Sequence, residues 1–159
     1  MIQIDDEKSY VSIVEEFSEM IFRIAYQNLF NIADAEDVVQ EVFLKLLKRK
    51  QGYKDKEHLK AWLIRVTVNQ CIDWKRAFKR RNEVMLEDCS FPLKEEERNL
   101  LSELSQLPRE DRNVIYLYYY EGYSIKEIAM ALGKKQNTIN SRLTRARKKL
   151  RNLIEEGLL

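Results

Sequence analysis

The sequence predicts an all-α protein: two small helical domains joined by a flexible acidic linker, the C-terminal one a helix-turn-helix. Three observations predict it. Apolar residues recur at intervals near 3.6 along almost the whole chain, the period of a helix with one buried face. Only four glycines and two prolines interrupt 159 residues. Charge comes in blocks: residues 1–57 carry net −4, 58–81 net +6, 82–111 net −6 and 112–159 net +6. Two basic blocks set apart by acidic ones suggest two separate contacts with nucleic acid.

The first domain is expected over residues 1–81. Its first helix spans about 5–30, with Tyr10, Ile13, Val14, Phe17, Ile21, Ile24 and Ala25 on one face. Residues 31–33 break it. Asp34 is the expected N-cap of a second helix over about 35–49, where Glu36 and Asp37 suit the positive end. Ala35, Val38, Val39, Val42 and Leu46 face inward, and Phe43 and Leu47 widen the stripe beyond what one neighbour would cover. That surplus is either ordinary core or a face on which another protein docks. After a polar loop (QGYKDKE, 51–57), a third helix is expected over about 58–80 with Trp62, Leu63, Val66 and Ile72 inward. Arg65, Asn69, Asp73, Arg76 and Arg80 step by four, four, three and four, which makes one polar stripe.

Residues 82–98 lose the helical period and turn acidic, and Pro92 breaks any continuous helix there. They read as a tether able to reach roughly 50 Å when extended. The second domain is expected over 99–159, with Pro108 in the first turn of a helix that buries Val114, Ile115, Leu117 and Tyr118. The tyrosines at 116, 118, 119, 120 and 123 read as packing and rim contacts. Ser124 and Glu127 form a capping box that opens a short helix carrying Ile125, Ile128, Ala129 and Leu132. Gly133 ends it with a turn that favours positive φ. A second helix begins near Gln136, with Ile139, Leu143, Ala146, Leu150 and Leu153 in one buried stripe. Asn137, Ser141, Thr144, Arg145 and Lys148 fall opposite. From Lys134 to Arg151 there are eight basic residues and no acidic one. An unbroken positive face on the second helix of such a pair fits a phosphate backbone.

No enzyme is visible. The chain has one histidine (His58), no Gly-rich phosphate loop and no nucleophile–base spacing, and no cofactor is expected. Asp34, Asp37 and Glu41 share a helix face, but charge at a helix N-terminus explains them better than a metal site. No apolar run approaches bilayer length, and the N-terminus has neither a basic nor an apolar leader region. Cys71 and Cys89 stand alone, Cys71 as a core residue, so a reducing cytoplasm is the expected setting.

Three segments resemble the extracytoplasmic-function (ECF) sigma factors of bacterial RNA polymerase. DAEDVVQEVFLKLL (34–47) resembles sigma region 2.2. HLKAWLIRVTVNQCIDWKRAFKRR (58–81) resembles regions 2.3 and 2.4, with Trp62-Leu63, Asn69 and Asp73 to Arg76 at the family's positions. LPREDRNVIYLYYYEGYSIKEIAMALG with NTINSRLTRARKKL resembles region 4. The resemblance implies that Asp37, Val39, Gln40, Glu41, Phe43 and Leu47 dock on the clamp helices of the polymerase largest subunit. It implies −10 recognition and melting by Tyr53, Arg65, Asn69, Asp73, Arg76 and Arg80. It implies −35 reading in the major groove by Asn137, Asn140, Ser141, Arg142, Thr144, Arg145 and Lys148. The other implied partners are promoter DNA, the flap of the second polymerase subunit and a membrane-anchored anti-sigma factor. The chain departs from the family at Lys135 or Gln136, where a Ser-like cap is common, and at Asn140, a commonly basic position. Two other readings of the residues stand beside this one: a dimeric helix-turn-helix regulator acting without polymerase core, and a helical adaptor for an acidic protein.

Overall fold

The computed structural model describes residues 1–49, 51–78 and 103–155, with side chains described as far as Trp74 and Asn152 in the last two stretches. The chain divides into two compact units, Met1–Phe91 and Pro92–Leu159. The tether expected at 82–98 lies outside the described residues.

Unit one is built on three mutually packed helices: α1 (Glu7–Leu29), α2 (Ile32–Lys48) and α3 (Lys56–Phe78). Asp6 caps α1 by accepting from Ser9 N, and Asn31 caps α2 by accepting from Asp34 N at 2.9 Å. The second helix therefore starts three residues earlier than expected, and Asp34 lies inside its first turn rather than at the cap. Phe30 makes the break, in the left-handed conformation at φ 52°. Asp55 serves the start of α3, its side chain accepting from His58 N at 2.9 Å. Phe17, Ile21 and Ile24 of α1, Val38, Val42 and Leu46 of α2, and Leu59, Leu63, Ile64 and Cys71 of α3 are buried. Trp62, Val66 and Ile72 are only half-buried, so the core face of α3 is rotated from the expected one towards Ile64, Thr67 and Cys71. Thr67 is tolerated there because its hydroxyl donates to Leu63 O at 2.6 Å. At the other end of the unit, Ile2 and Tyr53 exchange backbone hydrogen bonds of 2.7 and 2.8 Å in an isolated antiparallel bridge.

Unit two contains α4 (Arg109–Ile115), a π-helical turn (Tyr116–Tyr120), α5 (Ile125–Leu132) and α6 (Gln136–Glu155). Pro108 is the N-cap of α4. The π turn carries one extra residue per turn, with Glu121 N donating to Tyr116 O at 3.2 Å. It stacks Tyr116 on Tyr120 at 5.1 Å. The capping box at Ser124 forms as expected, both of its hydrogen bonds at 3.1 Å. Gly133 ends α5 at φ 67°, a conformation that would strain a side chain there. α6 packs on α4 and α5 through Ile139, Leu143 and Ala146, all buried. Among the described residues no helix is long and apolar enough to cross a membrane.

Candidate nucleic-acid interface

The fixed points of α6 decide what it presents. With Ile139, Leu143 and Ala146 locked into the unit, Asn137, Ser141, Thr144 and Lys148 fall within about 60° of one another on the far side. All four are exposed, as are Asn140 and Arg145. Thr144 donates its hydroxyl proton to Asn140 O at 2.9 Å, so its methyl and a lone pair are what it offers outward. Arg142 sits nearer the core edge: its side chain is 16% exposed and pairs with Glu110 at 3.2 Å. Arg145 remains 56% exposed, yet one nitrogen reaches the buried carboxylate of Asp111 at 3.4 Å. Lys149 approaches the other oxygen of Asp111 at 3.9 Å. The carboxylates of the first turn of α4 thus meet three cations on one edge of α6.

Arg147 holds the opposite edge, and the sequence had not singled it out. Its Nε donates to the Tyr119 hydroxyl at 2.5 Å, and its guanidinium lies 5.2 and 5.4 Å from the rings of Tyr118 and Tyr119. That hydrogen bond pushes its pKa above the ordinary arginine value. The adjacent tyrosines Tyr118 and Tyr119 were the available signal in the sequence. Beneath this surface Arg112 is buried and donates to Leu107 O at 3.2 Å; burial, with Arg109 nearby, lowers its pKa to about 10.

In unit one, Arg65, Asn69 and Asp73 are exposed along one face of α3. The side chain of Arg76 and the whole of Arg80 lie outside the described residues. Tyr53 is not on that surface. It is 4% exposed, its ring edge against Trp62 at 5.7 Å and the Arg49 guanidinium 4.8 Å above it. Its hydroxyl is buried with no hydrogen-bond partner among the described residues, and burial, partly opposed by Arg49, raises its pKa. In this conformation Tyr53 braces the loop from within.

The docking residues expected on α2 separate into two sets. Val39 and Phe43 are buried, Phe43 edge-on to Tyr10, whose hydroxyl donates to Phe43 O at 3.2 Å. Asp37 and Gln40 are exposed, Glu41 half-buried, and Leu47 54% exposed. Leu44, 45% exposed, joins Leu47 on the same side, so the accessible face runs Asp37, Gln40, Leu44, Leu47 in steps of three, four and three. Partial burial and the charges of Asp34, Glu36 and Glu41 raise the pKa of Asp37. Among the described residues no group of three or more His, Cys, Asp or Glu is placed to hold a metal ion.

A helix-turn-helix with a basic outer helix, in a chain whose other unit is also helical and carries a polar stripe, is the layout of a DNA-binding transcription factor. Comparison with known proteins makes the class specific. The family model of sigma-70 region 2 matches residues 13–81, and that of sigma-70 region 4 matches residues 97–150. The chain is 31% identical over 159 residues to the ECF RNA polymerase sigma factor SigE of Mycolicibacterium smegmatis, covering 92% of this chain and 62% of that relative. It is 30% identical over 154 residues to RNA polymerase sigma factor SigV of Bacillus subtilis, covering 93% of each. The sigma factor RpoE of Bartonella quintana, solved in complex with the anti-sigma factor NepR, shares the fold with a TM-score of 0.74 at 23% identity, over 93% of this chain and 98% of that one. The chain belongs to the extracytoplasmic-function sigma factors of RNA polymerase. That membership disfavours a dimeric regulator acting without polymerase.

Proposed function

We propose that this chain joins RNA polymerase core in the cytoplasm, performs no catalysis itself, and directs initiation at promoters bearing paired −10 and −35 elements. α2 offers Asp37, Gln40, Glu41, Leu44 and Leu47 to the clamp helices of the largest subunit, with Val39 and Phe43 as the packing beneath. The C-terminal unit meets the flap of the second subunit. α6 lies in the major groove at −35, where Asn137, Asn140, Ser141, Thr144 and Arg145 face base edges and Lys148 neutralises phosphate. Arg142, tied to Glu110, borders that face. At −10, Arg65, Asn69, Asp73, Arg76 and Arg80 contact the opened strand. Extruding a base costs a few kcal/mol, which pocket contacts and stacking offset. Tyr53 contributes there by shaping the loop, or by turning out of its buried site when the strand arrives.

The observation that carries this reading is the occurrence of both sigma regions in one chain, in family order, with a one-sided cationic helix in the second. An anti-sigma factor, membrane-anchored as is common in the family, controls the chain. RpoE of Bartonella quintana is bound by an anti-sigma factor, and the same class of partner is assigned here. Run-off transcription with purified core polymerase tests the reading. Promoter-specific transcripts are expected only when the chain is added; no gain over core alone would reject it.

A further inference from the structure

We propose that Asp111 is a specificity-positioning residue: it never touches DNA, but it fixes the guanidinium of Arg145 in the orientation that reads a base. The inference rests on the assignment of α6 to the −35 element. Asp111 projects from the first turn of α4, and its side chain is only 3% exposed. A carboxylate so far removed from water needs cationic or hydrogen-bonding partners. It has Arg145 at 3.4 Å on one oxygen and Lys149 at 3.9 Å on the other, both from α6. Arg145 keeps more than half of its side chain in solvent. One end of its fork is therefore anchored while the remaining N–H groups face outward, the state in which bidentate recognition of a purine loses least rotamer freedom. Glu110 holds Arg142 in the same way one residue earlier, but Arg142 is turned towards α4 and Glu110 is itself largely exposed. Among the described residues Asp111 alone joins a buried acid to an outward-facing arginine.

Asp111 also brings negative charge close to the DNA-facing side, so it opposes phosphate indiscriminately while sharpening one base contact. Removing its charge should thus move two readouts in opposite directions, which a merely structural residue would not do. The experiment uses holoenzyme, reconstituted from full-length chain and bacterial core polymerase, on promoter fragments randomised in the upstream element. Wild type is expected to enrich one upstream motif. Asp111→Asn is expected to lose at least about fivefold of the base preference at the position that Arg145→Ala also loses. Binding to a scrambled upstream element rises, and no further loss at that position appears in the double variant. Asp111→Glu, which keeps the charge but displaces it, should give an intermediate preference at that position alone. An unchanged motif with Asp111→Asn overturns the proposal while leaving the −35 assignment standing. Uniform weakening at every position, or unfolding of both variants, assigns Asp111 to stability only and also overturns it. If wild type enriches no upstream motif, the −35 assignment falls first and takes this proposal with it.

Discussion

The charged faces of α6 and α2 are built on opposite terms. On α6, cations along one edge meet carboxylates from α4: Arg142 with Glu110, and Arg145 and Lys149 with Asp111. On α2, Asp34, Glu36, Asp37 and Glu41 lie towards one end of a single helix, and partial burial, with the charges of the other three, raises the pKa of Asp37. A face complemented from within its own unit is set in shape before its partner arrives, which suits reading a sequence. A face where one carboxylate is held against partial burial and neighbouring charge would be relieved by a cationic partner, which suits the docking role proposed for α2. In the proposed roles, the difference separates a surface that discriminates from one that holds.

The sharpest way to break the contrast is to remove what holds α6 in place. Leu143→Ala deletes a fully buried anchor and should cost the C-terminal unit about 2–5 kcal/mol. Calorimetry of the full chain should show that loss confined to one unit, with unit one melting as before. Next in size, Arg145→Ala should cost about 1–3 kcal/mol at one upstream base pair and little elsewhere, read by binding to a series of single-base promoter variants. If base preference is unchanged, the facing of α6 is wrong. Lys148→Ala, outward and away from the acids, should weaken binding evenly across sequences and reduce the slope of log affinity against log salt by about one.

The smallest effect sharpens the other side. A carboxyl whose pKa is raised on folding favours the folded state most when protonated. Its contribution is therefore full below the ordinary value of 3.8 and is lost as pH rises through the raised pKa. At neutral pH Asp37 should cost stability. Asp37→Asn should stabilise unit one slightly, by less than about 0.5 kcal/mol because the group is exposed and screened, while weakening assembly with core polymerase. A loss of stability at neutral pH would contradict a raised pKa at Asp37.

Much of this was legible from residues alone where local chemistry dictates geometry. The Ser124 and Glu127 capping box, the turn at Gly133 and the stripe Ile139, Leu143, Ala146 follow from hydrogen-bonding capacity and period, and all appear as expected. The cap of α2 was misplaced because Asn31 and Asp34 are equally good capping residues. What decides between them is Phe30 in a left-handed conformation, which a non-glycine residue does not advertise. The apolar surplus of α2 is legible, and Leu47 does face out. Val39 and Phe43 are instead covered, and Leu44 joins Leu47 on the exposed side, a matter of tertiary packing that one helix's period leaves open. The polar stripe of α3 was visible, whereas the burial of Tyr53 against Trp62 and Arg49, in a loop that also pairs with Ile2, is set by tertiary contacts. The links from Glu110 and Asp111 to α6 are hidden for the same reason: in sequence those acids belong to the negative block of residues 82–111, in space to the basic helix α6.

Footprinting of one promoter fragment with the chain alone and with the chain plus core polymerase tests the central claim most directly. Two protected upstream segments are expected only with core present, at chain concentrations that leave the fragment unprotected otherwise. Protection of both segments by the chain alone, at those same concentrations, would contradict it.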